Sequence, residues 1–532
     1  MHEVITLQLG QQSNYVATHF WNTQESYFSY SENEVLPVNH NIHFRAGIGA
    51  DGTETFTPRT VIYDLKGGFG TLRKLNALYE LAEQNDVSNG LWDGNEVVQK
   101  QPRITPNEYQ KCLELGLPLP RLTSQTVRYW SDFNRLFYHP RSIVQLNEYD
   151  LNSQLKPFED WTVGQSLFAD LDKEHDLLDR DLRPFAEECD HLKSFQIFSG
   201  VDDAWGGFMA RYIDNLKDEF GNKSILVWAL NGTNKTERVK QGLANANCAR
   251  SLSETSSQVS AYIPITASPS KLPEYITRDL SHSWYSSALI SLAVESVSLP
   301  SRLRDRRALD IWDISAGDQR NIFNLQSSVG KSISAPIADV SGKLRNEEEQ
   351  YDQLQEDMKR FDIDLSPVNL AMEHGTRIDG QVSVSRDSTI SNLESLRPIT
   401  RSTARGLQRY EIMIFLKFTD RAKYLNFYWS LRNDVQLIGS LISHSCQSSL
   451  EYPILDSSPY DLIRDQGPPG STVKVNSALS ISSQASVYLQ ALHQFVGRFV
   501  PLDEREELSN NLLTLSDVYR DGWESDFDSG DD

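Results

Sequence analysis

The first 230 residues alternate between short strand-like runs and stretches with helical periodicity. A run of mostly apolar residues at 4–9 ends at Gly10, and apolar residues at helical spacing continue from there to Trp21. The order of strand, turn and helix returns after the apolar runs at 60–63 and 195–198. Short buried strands that alternate with helices indicate a mostly parallel sheet covered by helices on both faces. We therefore predict a doubly wound α/β fold for this part of the chain.

Changes of composition divide the chain into segments. A chain of 532 residues is too long for one hydrophobic core, so two or three domains are expected. The first domain is predicted at 1–240, with an ordered insertion at about 86–160 that is rich in proline and aromatic residues. A connecting helical region is predicted at 241–330. The glutamate-rich stretch at 331–365 is predicted to be a charged linker or helix.

The last part of the chain is predicted to be an α+β domain at 366–516 with C-terminal helices. Its main strand is expected at 410–418, and a helix that ends at Pro501 follows later. The apolar residues of this helix repeat at every fourth position: Val487, Ala491, Phe495 and Phe499. The segment 517–532 holds seven acidic residues and one arginine, so we expect an acidic, solvated tail.

Composition narrows the class of protein. Hydrophobic residues make up 39% of the chain and aromatic residues 10%, which is typical of a chain that folds. The formal net charge of −22 disfavours broad binding to nucleic acid or anionic lipid, so no contact with nucleic acid is expected. The first residues carry no targeting pattern, and no apolar run approaches the length of a membrane span.

The common catalytic and metal-binding patterns do not occur. The four cysteines contain no CxxC pair, and the sequence has no HExxH, GxSxG or P-loop signature. His40 and His43 form an isolated pair that is expected at the surface. Neither a metal site nor a catalytic residue is predicted.

Four segments resemble, in the same order, the nucleotide-binding part of tubulins. Residues 3–21 resemble the first strand, phosphate loop and first helix, and residues 58–68 resemble the second nucleotide loop, where an aspartate lies near the phosphates and magnesium. Residues 161–164 and 192–200 resemble the segments that lead into the main phosphate loop. The resemblance implies a tubulin-like fold with these candidate nucleotide-binding residues: Gly10, Gln11, Asp64, Gly200, Gly206 and Gly207.

The main phosphate loop departs from the tubulin pattern. Where a tubulin carries GGGTGSG, residues 202–208 read DDAWGGF. Carboxylates at Asp202 and Asp203 would each disfavour a bound phosphate by on the order of a few kcal/mol. The ring of Trp205 is expected to fill the space that a phosphate would occupy. Two roles stay open for the aspartates, a cap of the following helix and a metal ligand, and the cap is favoured. We expect a vestigial nucleotide site without a cofactor, with GTP as the alternative ligand.

The loop through which a tubulin completes the hydrolytic site of its neighbour has no counterpart here. The nearest stretch, at 242–247, reads GLANAN and lacks the acid. GTPase activity is therefore not expected, and the chain is predicted not to be an enzyme. Two alternatives stay open: a GTP-binding cytoskeletal assembly protein of the tubulin superfamily, and a small-molecule enzyme that uses the same crevice.

The insertion and the altered loop together resemble the Misato family. The segments that carry this resemblance are 130–143 and 199–207. Membership implies a non-enzymatic role in mitochondrial partitioning, distribution and morphology, and in the inheritance of mitochondrial DNA. It implies residence in the cytoplasm and at the outer surface of the mitochondrion. It also implies protein partners, among them the cytosolic chaperonin or tubulin, without a transmembrane segment.

Overall fold

The structure is a computed structural model that describes most of the chain. It describes residues 2–28, 37–48, 54–72, 104–232, 238–269, 271–277, 280–304, 320–329, 361–367, 450–464, 467–481 and 484–519, and the backbone of four strands at 399–405, 411–413, 435–438 and 441–448. The helix predicted after the strand at 60–63, most of the predicted linker and residues 520–532 lie outside these parts.

Six parallel strands form the first sheet. They are β1 (Glu3–Leu9), β4 (Thr60–Lys66), β5 (Ile143–Asp150), β6 (Leu192–Gly200), β7 (Ser224–Asn231) and β8 (Ala261–Thr266). Their spatial order is β5-β4-β1-β6-β7-β8. The chain therefore builds outward from β1 on one side, returns, and builds outward on the other side. This order confirms the predicted doubly wound fold. A small hairpin of β2 (Phe44–Ile48) and β3 (Glu54–Pro58) precedes β4.

Helices cover both faces of this sheet. The helices of the first 300 residues are α1 (Gln11–Glu25), α2 (Glu108–Leu115), α3 (Trp161–His175), the short α4 (Arg183–Glu187), α5 (Ala204–Glu219), α6 (Arg238–Thr255) and α7 (Ser283–Ser298). Tyr63 and Asp64 follow each other in β4, so their side chains point to opposite faces. Tyr63 packs against Phe208 of α5, whereas Asp64 bonds Asn14 of α1. Consequently α1 and α5 lie on opposite faces of the sheet.

The first sheet extends beyond the predicted limits of its domain. β5 lies inside the predicted insertion at 86–160 and forms an edge of the sheet. β8 follows the predicted domain end at residue 240 and forms the other edge. The predicted helical region at 241–330 contains α6 and α7, but it also contains β8 and the first strand of a second sheet. The domain boundaries themselves stay predictions.

The second sheet has seven described strands and is mainly antiparallel. Its strands are β9 (Asn324–Val329), β10 (Ile363–Asp364), β11 (Ile399–Arg405), β12 (Glu411–Met413), β13 (Val435–Ile438), β14 (Leu441–Ser448) and β17 (Val475–Ile481). A separate two-stranded ladder joins β15 (Tyr452–Pro453) and β16 (Thr472–Val473). Helix α7 contacts both α1 and β17, and nearly all its side chains are buried. This helix therefore joins the two parts of the molecule. Of the strand predicted at 410–418, only β12 is described.

Two C-terminal helices complete the described fold, α8 (Gln484–Phe499) and α9 (Leu502–Val518). Helix α8 occurs where it was predicted, but its most buried residues are not those of the apolar repeat. Its buried residues are Ala485, Ser486, Tyr488, Leu489, Leu492 and Val496. The residues of the predicted stripe are only half-buried. The reason is that α8 packs against both α6 and α9, so its buried surface is wider and centred on another side. Among the described residues, no helix is long and apolar enough to cross a membrane.

The predicted surface position of His40 and His43 is also wrong. The ring of His40 stacks on Phe28 at a centroid distance of 3.7 Å, and His43 packs edge-on against Phe20 and Trp21. Burial lowers the pKa of His40 to about 4 and holds that of His43 well below its usual value. Both imidazoles are therefore neutral parts of the core at physiological pH.

Candidate functional site

The candidate residues Gly10, Asp64 and Gly200 lie at the carboxyl ends of three neighbouring strands. Gly10 follows β1 directly, Asp64 is near the end of β4, and Gly200 ends β6. Parallel strands end at the same edge of a sheet, where doubly wound folds form their ligand crevice. Gly10 has φ +86°, which favours glycine, and its amide donates to the carbonyl oxygen of Tyr63 at 3.0 Å. This bend starts α1 at Gln11.

Asp64 is the centre of a buried hydrogen-bond network at this edge. Its Oδ2 accepts from Nε2 of Gln11 at 2.5 Å and from Nδ2 of Asn14 at 2.7 Å, and its Oδ1 accepts from the amide of Leu65 at 2.8 Å. Nε2 of Gln11 also donates to the carbonyl oxygen of Gly68 at 2.8 Å. Gln11 and Asp64 therefore bind each other and the loop after β4.

Burial raises the pKa of Asp64 from 3.8 to about 7, while the hydrogen bonds it accepts act in the opposite direction. Because the folded-state pKa exceeds the unfolded value, this group's contribution to stability is complete below about pH 3.8. The contribution is lost as the pH rises to about 7.

We expect wild type to lose stability relative to an Asp64→Asn variant between pH 4 and 7, by on the order of a few kcal/mol. Urea unfolding of both proteins across this range measures the difference. An Asp218→Asn variant, at an exposed position on α5, serves as the control and should follow wild type. Parallel stability curves for wild type and Asp64→Asn would contradict the raised pKa.

The indole of Trp205 occupies the space over Gly10. A Cβ added to Gly10 would lie 2.5 Å from Cδ1 and 2.8 Å from Cε2 of Trp205, so the five-membered ring rests directly on this glycine. Trp205 is buried in the first turn of α5, and Phe158 and Phe208 pack on its ring at centroid distances of 5.2 and 5.6 Å. The ring therefore fills the gap between the first turns of α1 and α5. We therefore expect the ring to hinder the approach of a phosphate to the backbone of Gly10.

Asp203 caps helix α5. It is the N-cap residue, and its Oδ1 accepts from the amide of Trp205 at 2.9 Å. This confirms the favoured role for Asp203. Asp202 is buried, and its carbonyl oxygen accepts from Nδ2 of Asn247 at 3.1 Å. In the parts of the chain that the structure describes, no group of three or more His, Cys, Asp or Glu side chains could hold a metal ion.

Gly206 and Gly207 do not face the crevice. A Cβ on Gly207 would overlap the carbonyl oxygen of Trp161 in α3, and one on Gly206 would overlap Oγ of Ser251 in α6. Gly164 of α3 makes the reciprocal contact, because its Cβ would overlap the carbonyl oxygen of Ala204. These glycines let α3, α5 and α6 approach closely. The structure thus brings Gly10, Gln11, Asp64 and Gly200 to one edge and gives Gly206 and Gly207 a packing role.

Two further residues near the edge were not singled out from the sequence. Asn247 lies within α6 and not in a loop. Its Nδ2 also donates to the carbonyl oxygen of Glu159 at 2.7 Å. Its Oδ1 accepts from the amide of Trp161 at 3.2 Å. Gln12 lies against the end of β7, because a Cβ on Gly232 would be 2.5 Å from its Oε1. For Asn247, the only signal in the sequence is a polar side chain within the run GLANAN. Nothing in the sequence suggests the contact of Gln12 with the end of β7.

Two family models match the chain, the Misato Segment II tubulin-like domain at residues 2–115 and the Tubulin domain at residues 119–303. Protein DML1 of Coccidioides immitis is 53% identical over 539 aligned residues, and the alignment covers 100% of both chains. Protein dml1 of Aspergillus niger is 47% identical, again with 100% of both chains covered. Protein dml1 of Schizosaccharomyces pombe is 35% identical over 59% of this chain and 69% of its own length.

These similarities agree with the α/β architecture of the first sheet. The Misato model covers β1 and β4, and the Tubulin model covers the five helices and four strands from β5 to α7. The relatives extend the similarity through the second sheet and the C-terminal helices. The chain belongs to the Misato family of tubulin-like proteins.

Proposed function

We propose that the chain is a non-enzymatic, tubulin-like factor in mitochondrial partitioning, distribution and morphology, and in the inheritance of mitochondrial DNA. The observation that supports the non-enzymatic part is the position of Trp205 on Gly10. A tubulin-like nucleotide site needs backbone amides that can approach a phosphate. Here the ring of this chain's own tryptophan takes that space, so the protein acts through its surfaces.

The mitochondrial part of the proposal rests on what membership in the Misato family implies. On this basis the chain works in the cytoplasm and at the outer surface of the mitochondrion, through protein partners. The cytosolic chaperonin and tubulin are the partners that the family resemblance suggests. The absence of a cofactor is part of the same proposal, as is the absence of contact with nucleic acid.

A GTP-binding assembly protein is the second candidate, because one observation favours it. Gly10 keeps the positive φ that opens the first turn of α1, and Gln11 and Asp64 lie beside it. This is the backbone arrangement that a phosphate requires. Trp205 opposes this candidate, and the hydrogen bonds of Asp64 are already taken by Gln11, Asn14 and Leu65.

Depletion of the chain in its host tests the mitochondrial part. We expect clumped and unequally inherited mitochondria with fewer foci of mitochondrial DNA, seen with a fluorescent matrix protein and a DNA stain through several divisions. Re-expressed Asp64→Asn should restore normal distribution, since no nucleotide chemistry depends on this carboxylate. Normal distribution and inheritance of mitochondria after depletion would contradict the proposed role.

Phosphate release from GTP by the purified chain tests the non-enzymatic part separately. We expect release at the background rate with magnesium present. Turnover above background that Asp64→Asn abolishes would instead support the GTP-dependent candidate, whatever the depletion experiment shows.

A further inference from the structure

One cavity of the described structure lies away from the crevice, at the open edge of the first sheet. It has a volume of about 510 Å³ and is lined by β5, by Arg141 just before this strand, and by Arg180, Asp181 and Pro184. β5 pairs with β4 on one side, and no described strand pairs with its other side. An open strand edge offers backbone donors and acceptors to a further extended segment.

The charged residues that line the cavity are two arginines and one aspartate, although the chain as a whole is strongly acidic. Arg141 is exposed, and its guanidinium forms no hydrogen bond or ion pair with any described residue. Arg180 lies in a single turn of π-helix, Leu178–Leu182, and donates to both carboxylate oxygens of Asp181 at 2.7 Å. Asp181 is held in addition by the hydroxyl of Tyr63 at 2.6 Å. One unpaired arginine therefore stands at the start of the open strand, beside a second arginine that is partly exposed.

The two faces of β5 at the cavity differ in chemistry. Val144 is paired in register with Tyr63, so it shares the face on which Arg180 and Pro184 lie. Ile143 and Gln145 alternate with Val144 and therefore point to the opposite face of the strand. Arg141 lies just before the strand and also lines the cavity. Further along, the ammonium of Lys156 lies 4.0 Å from the ring of Tyr149. The loop after β5 thus folds back on the second half of the strand, and no described strand pairs with the first half on this side.

The C-terminal segment 520–532 has the chemistry that this edge requires. It reads RDGWESDFDSGDD, with Phe527 between Asp526 and Asp528. In an extended strand alternate side chains point to opposite faces. Phe527 can therefore pack on Val144 and Pro184 while its two acidic neighbours point to the face of Ile143 and Gln145. Arg141 lies just before this strand and lines the same cavity. The charge of the segment is opposite to that of the unpaired guanidinium.

The segment is also long enough to reach the cavity within one molecule. α9 ends beside the start of β8, because the hydroxyl of Tyr519 accepts from the amide of Ile322, which bridges to Tyr262. Arg141 lies just before β5. The end of α9 and Arg141 therefore both lie near the amino ends of the parallel strands, on the same side of the sheet. β8 and β5 are the two outer strands, and five steps of about 4.8 Å separate them by roughly 24 Å. The eight residues that follow Tyr519, up to Phe527, span up to about 26–29 Å when extended, which is enough to cross this distance.

We propose that residues 520–532 dock in cis on the open edge of β5, with the acidic side chains beside Arg141 and Phe527 in the cavity. Tethering supplies a local concentration on the order of millimolar, so weak intrinsic binding suffices. The docked segment covers an edge that would otherwise be free to pair with another chain. Docking of this kind adds little to the stability of the fold, so a chain without the tail should still fold.

Hydrogen exchange of the full-length chain tests the proposal at the strand itself. We expect the outward amides among residues 143–147 to exchange at least tenfold faster when Glu524→Gln, Asp526→Asn and Asp528→Asn are combined. Arg141→Glu should have the same effect. Arg498→Glu serves as the matched control, because Arg498 is likewise exposed and lies on α8 away from the cavity; it should leave the exchange unchanged.

A charge reversal makes the test independent of any loss of folding. Arg141→Glu combined with Glu524→Lys, Asp526→Lys and Asp528→Lys should restore the slow exchange of wild type. Equal exchange in wild type and in the neutral-tail variant overturns the proposal, as does an equal loss of protection in Arg498→Glu. Protection that increases with protein concentration, together with a larger mass in light scattering, also overturns it, because a second copy would then supply the segment.

Discussion

Replacing Gly207 by alanine is expected to destabilise the first domain by about 3 kcal/mol or more. The methyl group would overlap the carbonyl oxygen of Trp161 and would come within 2.9 Å of the amide nitrogen of Gln165, both in α3. These are backbone atoms inside a helix, so they cannot move without shifting α3 as a whole. Gly164→Ala should have a similar effect from the other side of the contact, since its methyl group meets backbone atoms of α5.

Gly497→Ala is the matched control for these substitutions. Gly497 also lies in a helix, α8, but a Cβ there would meet no atom within 4 Å. Alanine at this position should stabilise the chain by about 0.5–1 kcal/mol, because glycine is the poorer helix former. Melting temperatures of the three variants measure the contrast. A Gly207→Ala protein that melts like wild type would show that α3 and α5 are not in close contact, and Gly207 would return as a candidate phosphate ligand.

The sequence predicted the strand and helix pattern of the first sheet because each element has a strong local signal. β1, β4, β6 and β7 are short apolar runs, and Gly10 is the kind of residue that a sharp turn into a helix requires. The edge strand β5 was not recognised within the proline-rich and aromatic insertion. An edge strand is only half-buried, and its side chains alternate less clearly between apolar and polar.

The sequence predicted the positions of those candidate site residues that lie at the ends of strands. Gly10, Gln11, Asp64 and Gly200 meet because they follow or end neighbouring parallel strands. Gly206 and Gly207 were assigned by counting along a loop pattern, but they lie in α5, where the helical phase decides which way a residue points. Gly164, a glycine in the preceding helix, was the available signal for close packing of α3 on α5.

The burial of His40 and His43 could not be predicted from the sequence. Two histidines spaced three apart look alike in a surface turn and in a core. What decides their position is the group of aromatic rings around them, Phe20, Trp21 and Phe28, which are brought together only by the packing of α1 against the β2–β3 hairpin. The same limit applies to α8, whose two neighbours, α6 and α9, come from distant parts of the chain.

Replacing Trp205 by alanine is expected to have the largest effect on nucleotide binding. Its removal opens the space over Gly10, where the first amides of α1 and α5 could then face an anion. Asp203→Gly is now expected to help less than the sequence suggested, because it removes the N-cap of α5 at a cost of about 1 kcal/mol. We therefore expect the tryptophan, more than the two carboxylates, to oppose phosphate binding.

Equilibrium binding of a fluorescent GTP analogue at fixed magnesium measures this effect. We expect no saturable binding by wild type up to about 1 mM, and binding by Trp205→Ala that is tighter by at least tenfold, since a block worth about 1.4 kcal/mol already gives a factor of ten. Loss of a buried tryptophan costs about 3–5 kcal/mol of stability, so Trp205→Leu, which keeps part of the apolar contact with Phe158, is measured in parallel. Trp228→Ala removes an equally buried tryptophan from the middle of β7 and should create no binding. If wild type bound the analogue at micromolar concentration and Trp205→Ala did not strengthen it, the ring would not be the obstacle. The nucleotide would then have to enter beside it, through contacts other than the backbone of Gly10.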